Sequence, residues 1–280
     1  MTKFAIYISN FGKNMSAGLL ADLAVETEMY GWDGFFIWDH ILYNSSQNLT
    51  MVDPTVALAA IATVTNHIRI GAMLTPIARR RPWKLARELA SLDHLSGGRL
   101  ILGVGLGAPV ETEYTNFGEE GDPKIIAEKL DEGIQIINGL WQGRSFKFDG
   151  KHYHLNPVTL LPTPLQKPRI PIWVGGFWPN KAPFRRAAQW DGIFPLKNDG
   201  GLKPSDVTAI KDYIAAHRTL MSSFDIVVTN HTPADDAEKM RSMIRPFIDA
   251  GMTWWLENLF KKRNNTEALF ARIKAGPPVL

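Results

Sequence analysis

Eight short apolar runs recur along the chain, and helical patterns separate most of them. The runs are Phe4–Ile8, Gly34–Trp38, Ile68–Leu74, Arg99–Gly105, Ile172–Val174, Gly192–Pro195, Phe224–Thr229 and Thr253–Glu257. Their apolar residues are nearly continuous rather than alternating, which marks strands of a parallel sheet buried on both faces. Between them, helical spacing is expected over about Ala17–Tyr30, Thr55–Thr65, Pro82–Leu95, Lys181–Trp190, Ser205–Met221, Pro233–Ala250 and Asn265–Lys274. End signals support these limits: Gly31 and Gly251 follow helices as C-caps, and Pro54 opens one at its first position. Ser205 is expected as an N-cap, with Asp206 at the positive end of the dipole. Pro246 is expected to kink or split its helix.

Strand–helix alternation of this kind builds βαβ units, and eight of them favour closure into a (β/α)8 TIM barrel over a doubly wound open sheet. The 280 residues match one such barrel, so residues 1–280 read as a single domain. After strand four comes an insertion at about 108–170. It holds a helix near Pro123–Trp141 and a hairpin, Phe146–Phe148 and Tyr153–Leu155, turning at Asp149-Gly150.

Composition narrows the function. There is no cysteine, which excludes disulfides, thiolate chemistry and cysteine-ligated metal centres. No apolar run approaches the roughly 18 residues that span a bilayer, and the N-terminus carries no signal-peptide pattern; a cytoplasmic protein with no membrane partner is expected. The net charge is +3 and the one basic cluster is Arg79-Arg80-Arg81. That suits one small phosphate or a few carboxylates better than a duplex, so no nucleic-acid partner is expected.

Active sites of such barrels lie at the C-terminal strand ends. The residues there are Ser9-Asn10, Asp39-His40, Leu74-Thr75, Gly105-Leu106-Gly107, Gly175-Gly176, Lys197-Asn198, Thr229-Asn230-His231 and Glu257-Asn258. The glycines admit a flat ligand or a phosphate close to the backbone. Phe11, Trp38, Trp178 and Trp254 or Trp255 make the mouth read as aromatic, which fits an apolar or ring-shaped small-molecule substrate. The set is poor in carboxylates, with Asp39 and Glu257 the main ones. It suits a cofactor that brings its own reactivity better than a metallohydrolase, which needs several His and Asp together. His152 and His154, on one face of the hairpin, form a possible metal pair; surface histidines on an excursion are the plainer reading, and no metal site is assigned. Gly103 to Ala108 matches a loose G-x-G-x-x-G/A pattern. It follows the fourth strand and no clear helix start comes after it, so close ligand approach explains the glycines better than a Rossmann site.

The chain resembles the luciferase-like family of flavin- and deazaflavin-dependent oxidoreductases. The resemblance rests on Trp38-Asp39-His40, Asp53 to Ala62, Ile70 to Pro76, Arg79 to Glu88, and most specifically Leu92-Asp93-His94-Leu95-Ser96-Gly97-Gly98-Arg99-Leu100 running into Gly103-Val104-Gly105. It continues through Phe148-Asp149-Gly150, Leu161 to Pro164 and Pro171 to Gly176. The resemblance implies a luciferase-like TIM barrel and a non-prolyl cis peptide in a bulge ending strand three, by position Ala72-Met73. It places Asp39 and His40 beside the cofactor ring, with His40 protonating a substrate or stabilising the ring. It implies Thr75 near the ring edge, and Gly105, Gly107, Gly175 and Gly176 along the cofactor tail. A phosphate would sit at Asn180-Lys181 or at Arg79 to Arg81. The cofactor implied is reduced FMN, in a monooxygenase fed by a separate flavin reductase, or coenzyme F420, the deazaflavin, in a hydride-transfer enzyme. A flavin-binding protein without turnover is the alternative of another class. Family members often form homodimers. Sugar-phosphate dehydrogenases of the family place a tryptophan a few residues after Asp-His and a glutamate directly after the glycine turn. Here those places hold Tyr43-Asn44 and Ala108, which leaves His40 without an identified proton-transfer partner.

Overall fold

The computed structural model describes residues 2–44, 46–47, 49–198, 201–233 and 236–279. Nine parallel strands form one sheet. They are β1 (Lys3–Ile8), β2 (Gly34–Ile37), β3 (Arg69–Ala72), β4 (Thr75–Pro76), β5 (Leu102–Gly105), then, past the hairpin β6 (Phe146–Asp149) and β7 (His154–Val158), β8 (Ile172–Phe177), β9 (Gly192–Leu196), β10 (Asp225–Asn230) and β11 (Trp254–Asn258). The order is β3-β2-β1-β11-β10-β9-β8-β5-β4. β3 and β4 are two halves of one stave, and a parallel bridge from Ile70 to Leu100 joins that stave to the start of the next. The sheet therefore curls back on itself as an eight-stave (β/α)8 barrel, and the open-sheet alternative is excluded.

Strand side chains alternate between two cores, as the period of two demands. Ala5, Tyr7, Phe36, Met73, Trp173, Phe194, Val227, Trp254 and Leu256 fill the barrel. Their neighbours Phe4, Ile6, Phe35, Ile70, Ile172, Ile193, Ile226 and Trp255 face the helices. Both faces of each stave are thus apolar.

The outer layer contains α1 (Ala17–Met29), α2 (Pro54–Val64), α3 (Pro82–Leu95), α4 (Val110–Glu113), α5 (Pro123–Leu140), α6 (Lys181–Ala187), α7 (Pro204–His217), α8 (Ala237–Asp249) and α9 (Thr266–Lys274). Most match the sequence spacing within a residue or two. Three differ. α7 starts on Pro204 rather than after a Ser205 cap, because proline takes the first helical position. α8 starts at Ala237, where the Asp236 carboxylate accepts from Lys239 N; of the expected earlier start, positions 234 and 235 lie outside the described residues. It also runs unbroken through Pro246. Third, a one-turn helix, α4, stands where no helix start was expected.

The motif around Asp93 to Arg99 locks this layer together. Arg99 donates to the carbonyls of Ala62, Thr65, Ile68 and Ser96 and to Thr65 Oγ1, closing the C-terminal end of α2. Asp93, fully buried, accepts from the backbone and side-chain nitrogens of Gln166, which ties the insertion to α3. In the hairpin, β6 and β7 pair antiparallel as expected.

Candidate active site

The barrel mouth opens as a cavity of about 310 Å³. Tyr7, Trp38, Met73, Leu74, Pro76, Phe194 and Leu196 wall it; Gly107 and Ala108 border it; Asp39, His40, Thr229 and Asn258 supply polar edges. Asp39 and His40 also border a neighbouring cavity of about 390 Å³ that reaches Ile41, Asp53, Arg79 and Arg80.

The stave-three bulge shapes the floor. A non-prolyl cis peptide joins Met73 to Leu74, one residue later than the expected Ala72-Met73. The shift follows from the ladder: Ala72 still pairs with Ile37 of β2, so the strand breaks only beyond it. Tyr7 donates its hydroxyl to the carbonyl of Met73 at 2.8 Å. Burial pushes the Tyr7 phenol far above its ordinary value, so it serves as a neutral donor.

His40 is fixed from two directions. Asn10 clamps its backbone: the amide nitrogen donates to His40 O at 2.9 Å and its oxygen accepts from His40 N at 3.2 Å. At the ring, Nδ1 lies 2.6 Å from Glu113 Oε1. The Glu113 side chain is fully buried, whereas that of His40 is 16% exposed, at the cavity wall. Glu113 is the partner that sequence reading missed. It comes from α4, five positions after Ala108, where the family's glutamate was sought. Signals were present: Pro109 precedes the turn, and Glu111 and Glu113 lie in it, where a helix N-terminus favours acids.

Asp39 is buried too, but it faces arginines. Arg79 donates to its carboxylate and to its backbone carbonyl, and Arg80 donates to both carboxylate oxygens at 3.0 and 2.9 Å. Arg79 also lies 3.1 Å from Glu113 Oε2, an ion-pair contact without hydrogen-bond geometry, so that oxygen accepts no hydrogen bond among the described residues. The structure thus brings Asp39, His40, Arg79 and Glu113 together.

The other expected residues spread out. Met73 and Gly107 border the mouth cavity. Ala72 and Thr75 face a small void among α2 and α3 residues such as Leu58, Leu85 and Leu89. A side chain at Gly105 or Gly175 would run into Leu74, and one at Gly176 into Pro183, so these glycines admit protein neighbours closely. Lys181 lies 3.7 Å over the Trp178 ring, beside the exposed Asn180. Glu257 points outward, away from the mouth, into a buried pair with Arg272. Of the expected mouth aromatics, Trp254 fills the barrel interior against Phe36 and Trp173, and Trp255 faces the helices. Phe11 is buried behind Trp38, His40 and Tyr43. His152 and His154 bond separate acids, Glu128 and Asp149. Among the described residues no group of three or more His, Asp or Glu side chains is placed to hold a metal, and no helix is long and apolar enough to cross a membrane.

Comparison with known proteins places the family and the fold. An F420-dependent glucose-6-phosphate dehydrogenase of Nakamurella multipartita is 30% identical over 161 residues, 57% of this chain and 47% of that protein. The oxygenase component of a flavin-dependent trigonelline monooxygenase of Acinetobacter baylyi is 34% identical over 140 residues, 50% of this chain and 38% of that one. The matches thus span half or less of these relatives. An F420-dependent secondary alcohol dehydrogenase superposes with a TM-score of 0.80 at 16% identity, covering 99% of both chains. The FMN-bound oxygenating constituent of 3,6-diketocamphane monooxygenase of Pseudomonas putida gives 0.75 at 16% identity, covering 98% of this chain and 97% of that one. At such identities these two likenesses speak for the fold. The family model for luciferase-like monooxygenases matches residues 3–275, and the chain belongs to that family.

Proposed function

We propose that this protein is a flavin- or deazaflavin-dependent oxidoreductase whose cofactor ring occupies the mouth cavity and whose proton transfers run through His40. The observation that carries the reading is the 2.6 Å His40–Glu113 contact at the wall of that cavity. The residues fit such a ring. Tyr7, Trp38, Met73, Leu74 and Phe194 give broad apolar walls, with polar groups confined to the edge. Trp38 Nε1 is a buried donor with no acceptor among the described residues, a cost that a ring bearing heteroatoms relieves. When bound, the ring supplies two-electron chemistry that no side chain here provides.

The chain's own part is positional and protic. With Glu113 accepting from Nδ1–H, Nε2 of neutral His40 is left as a base. It can take a proton from a substrate hydroxyl, or return one to a carbonyl oxygen after protonation. This favours hydride exchange at an oxygen-bearing carbon, the chemistry of the F420 coenzyme. A second reading has its own observation. Arg79, Arg80, Lys181 and Lys197 are each engaged, by Asp39, Glu113, Trp178 or Asp206. Arg79, Arg80 and Lys197 are thus held by acids of the protein and not free for an oligoglutamate tail, which favours FMN, oxygenation of a small organic substrate and a separate reductase; the exposed Lys261 and Lys262 past β11 remain as cations at that rim.

Turnover assays with F420 and alcohols, and with reduced FMN and oxygen, separate the two. In either, His40→Ala should lose turnover and keep ring binding. Unchanged turnover in that variant would remove His40 from the reaction.

A further inference from the structure

Four charged groups stand in line behind His40. Arg80 holds Asp39, Asp39 holds Arg79, Arg79 reaches Glu113 Oε2 at 3.1 Å, and Glu113 Oε1 lies 2.6 Å from His40 Nδ1. The side chains of Asp39, Arg79 and Glu113 are 2%, 7% and 0% exposed. Two arginines and two carboxylates sum to zero charge, so the line is neutral when His40 is neutral. A carboxylate this buried stays ionised only if paired. Glu113 has two charged neighbours: His40, hydrogen-bonded at Oε1, which changes charge when it exchanges a proton, and Arg79, in ion-pair contact with Oε2 without hydrogen-bond geometry. Arg79 is the permanent one.

The other groups nearby do not replace it. Tyr114, next to Glu113, has its hydroxyl on the Leu106 carbonyl, and burial pushes its phenol well up, so it stays neutral. Asp39 and Arg80 stand behind Arg79, and Tyr43 meets His40 edge-on as an aromatic ring.

We propose that Arg79 is a positioning residue that sets the tautomer of His40. An ionised Glu113 can only accept, so Nδ1 must carry the hydrogen and Nε2 is left as the base. Without the guanidinium, the buried carboxyl takes up a proton and donates to Nδ1. The imidazole hydrogen then moves to Nε2, and His40 can no longer accept a proton there. Arg79 is therefore tied into the proton path rather than placed for a cofactor phosphate. The consequence for turnover rests on the function proposed above; the tautomer itself does not.

The test is nitrogen-15 NMR of the histidine imidazoles in the whole protein, free of coenzyme. The His40 signals are assigned by their loss in His40→Gln. Neutral His40 should show a protonated Nδ1 and a bare Nε2, and Arg79→Gln should reverse them. Should Arg79→Gln not fold, Arg79→Lys is read the same way: one ammonium cannot bridge both acids as the guanidinium fork does, and a mixture of tautomers is expected. A hydrogen on Nε2 in the unmodified protein, or an unchanged bare Nε2 in the folded variant, overturns the proposal. In turnover, Arg79→Gln should cost on the order of tenfold or more in kcat with KM little changed. The expected tautomers without turnover on any coenzyme would sink the coenzyme reading and leave this one standing.

Discussion

Two buried ion networks flank the barrel, built from the same kinds of residue and finished differently. On the outer face of β11, Glu257 accepts from Thr232 N, Thr232 Oγ1, Trp255 Nε1 and Arg272 Nε, while the Arg272 terminal nitrogens go to Gly276 O and Thr232 Oγ1. Every Glu257 oxygen is used, both side chains are at most 2% exposed, and the network pins α9 to the barrel. At the mouth, Asp39, Arg79 and Glu113 are nearly as buried while Arg80 is 20% exposed, but among the described residues Arg79 Nε, Arg80 Nε and Glu113 Oε2 have no hydrogen-bond partner, and the line ends on a histidine at a cavity wall. A closed network can only hold structure. One that ends on a titratable ring facing space can hold structure and also move a proton.

The sharpest break between the two should come from single substitutions at each. His40→Ala should lower turnover by about 10²–10⁴-fold, the usual range for a lost acid–base group, with thermal stability nearly unchanged. Arg272→Ala should do the reverse: about 3–5 kcal/mol of stability lost, as expected when one partner of a buried pair is removed, with turnover per folded molecule kept. Urea melts beside steady-state assays decide. A large stability loss in His40→Ala, or lost turnover per folded molecule in Arg272→Ala, would merge the two networks into one.

Two smaller effects test whether a carboxylate needs a cation at all. Glu28 makes no salt bridge among the described residues; it accepts from the backbone nitrogens of Asn66, His67 and Ile68, with the charges of Arg99 and His67 close by. Burial raises its pKa, but those three donors outweigh burial and hold it below the usual 4.5. A lowered folded-state pKa gives stability that is present above the unfolded value and lost as pH falls through the folded one. Glu28→Gln should therefore cost up to about 1 kcal/mol at neutral pH, the group being largely solvated, and the difference should shrink as pH falls below 4.5. Asp225 has the opposite sign. Burial at the end of β10 raises it above 3.8, against the donation from Thr253 Oγ1. Its native form favours the proton, so stability falls as pH climbs through that window. Asp225→Asn should be neutral or stabilising by up to about 1 kcal/mol at pH 7, with no gain at pH 3. Denaturation midpoints at both pH values check both substitutions.

The barrel was legible because its signal is redundant: staves such as Phe4–Ile8 and Ile226–Val228 are apolar throughout, and both faces prove buried. Half of the candidate site was legible too, since Asp39 and His40 stand just past β2, after Trp38. Glu113 was not, because α4 is a single turn, too short to show helical periodicity, and Glu113 reaches His40 across 73 positions of sequence. The family motif through Asp93 and Arg99 was conspicuous in the sequence yet serves the fold, bonding Gln166 and the end of α2. Arg79 was readable as a cation, but its partners are set only by how the loop after β2, the turn after β4 and α4 converge.

The central claim is that a flavin-type ring lies in the mouth cavity. It is tested most directly by titrating the purified protein with FMN, oxidised and reduced, and with F420, following fluorescence, beside a variant in which Ala108→Trp fills the mouth. Saturable binding of one coenzyme that disappears in the filled variant is the predicted result and names the cofactor. Binding of neither, or binding that survives a folded Ala108→Trp, would contradict the assignment of the ring to this cavity.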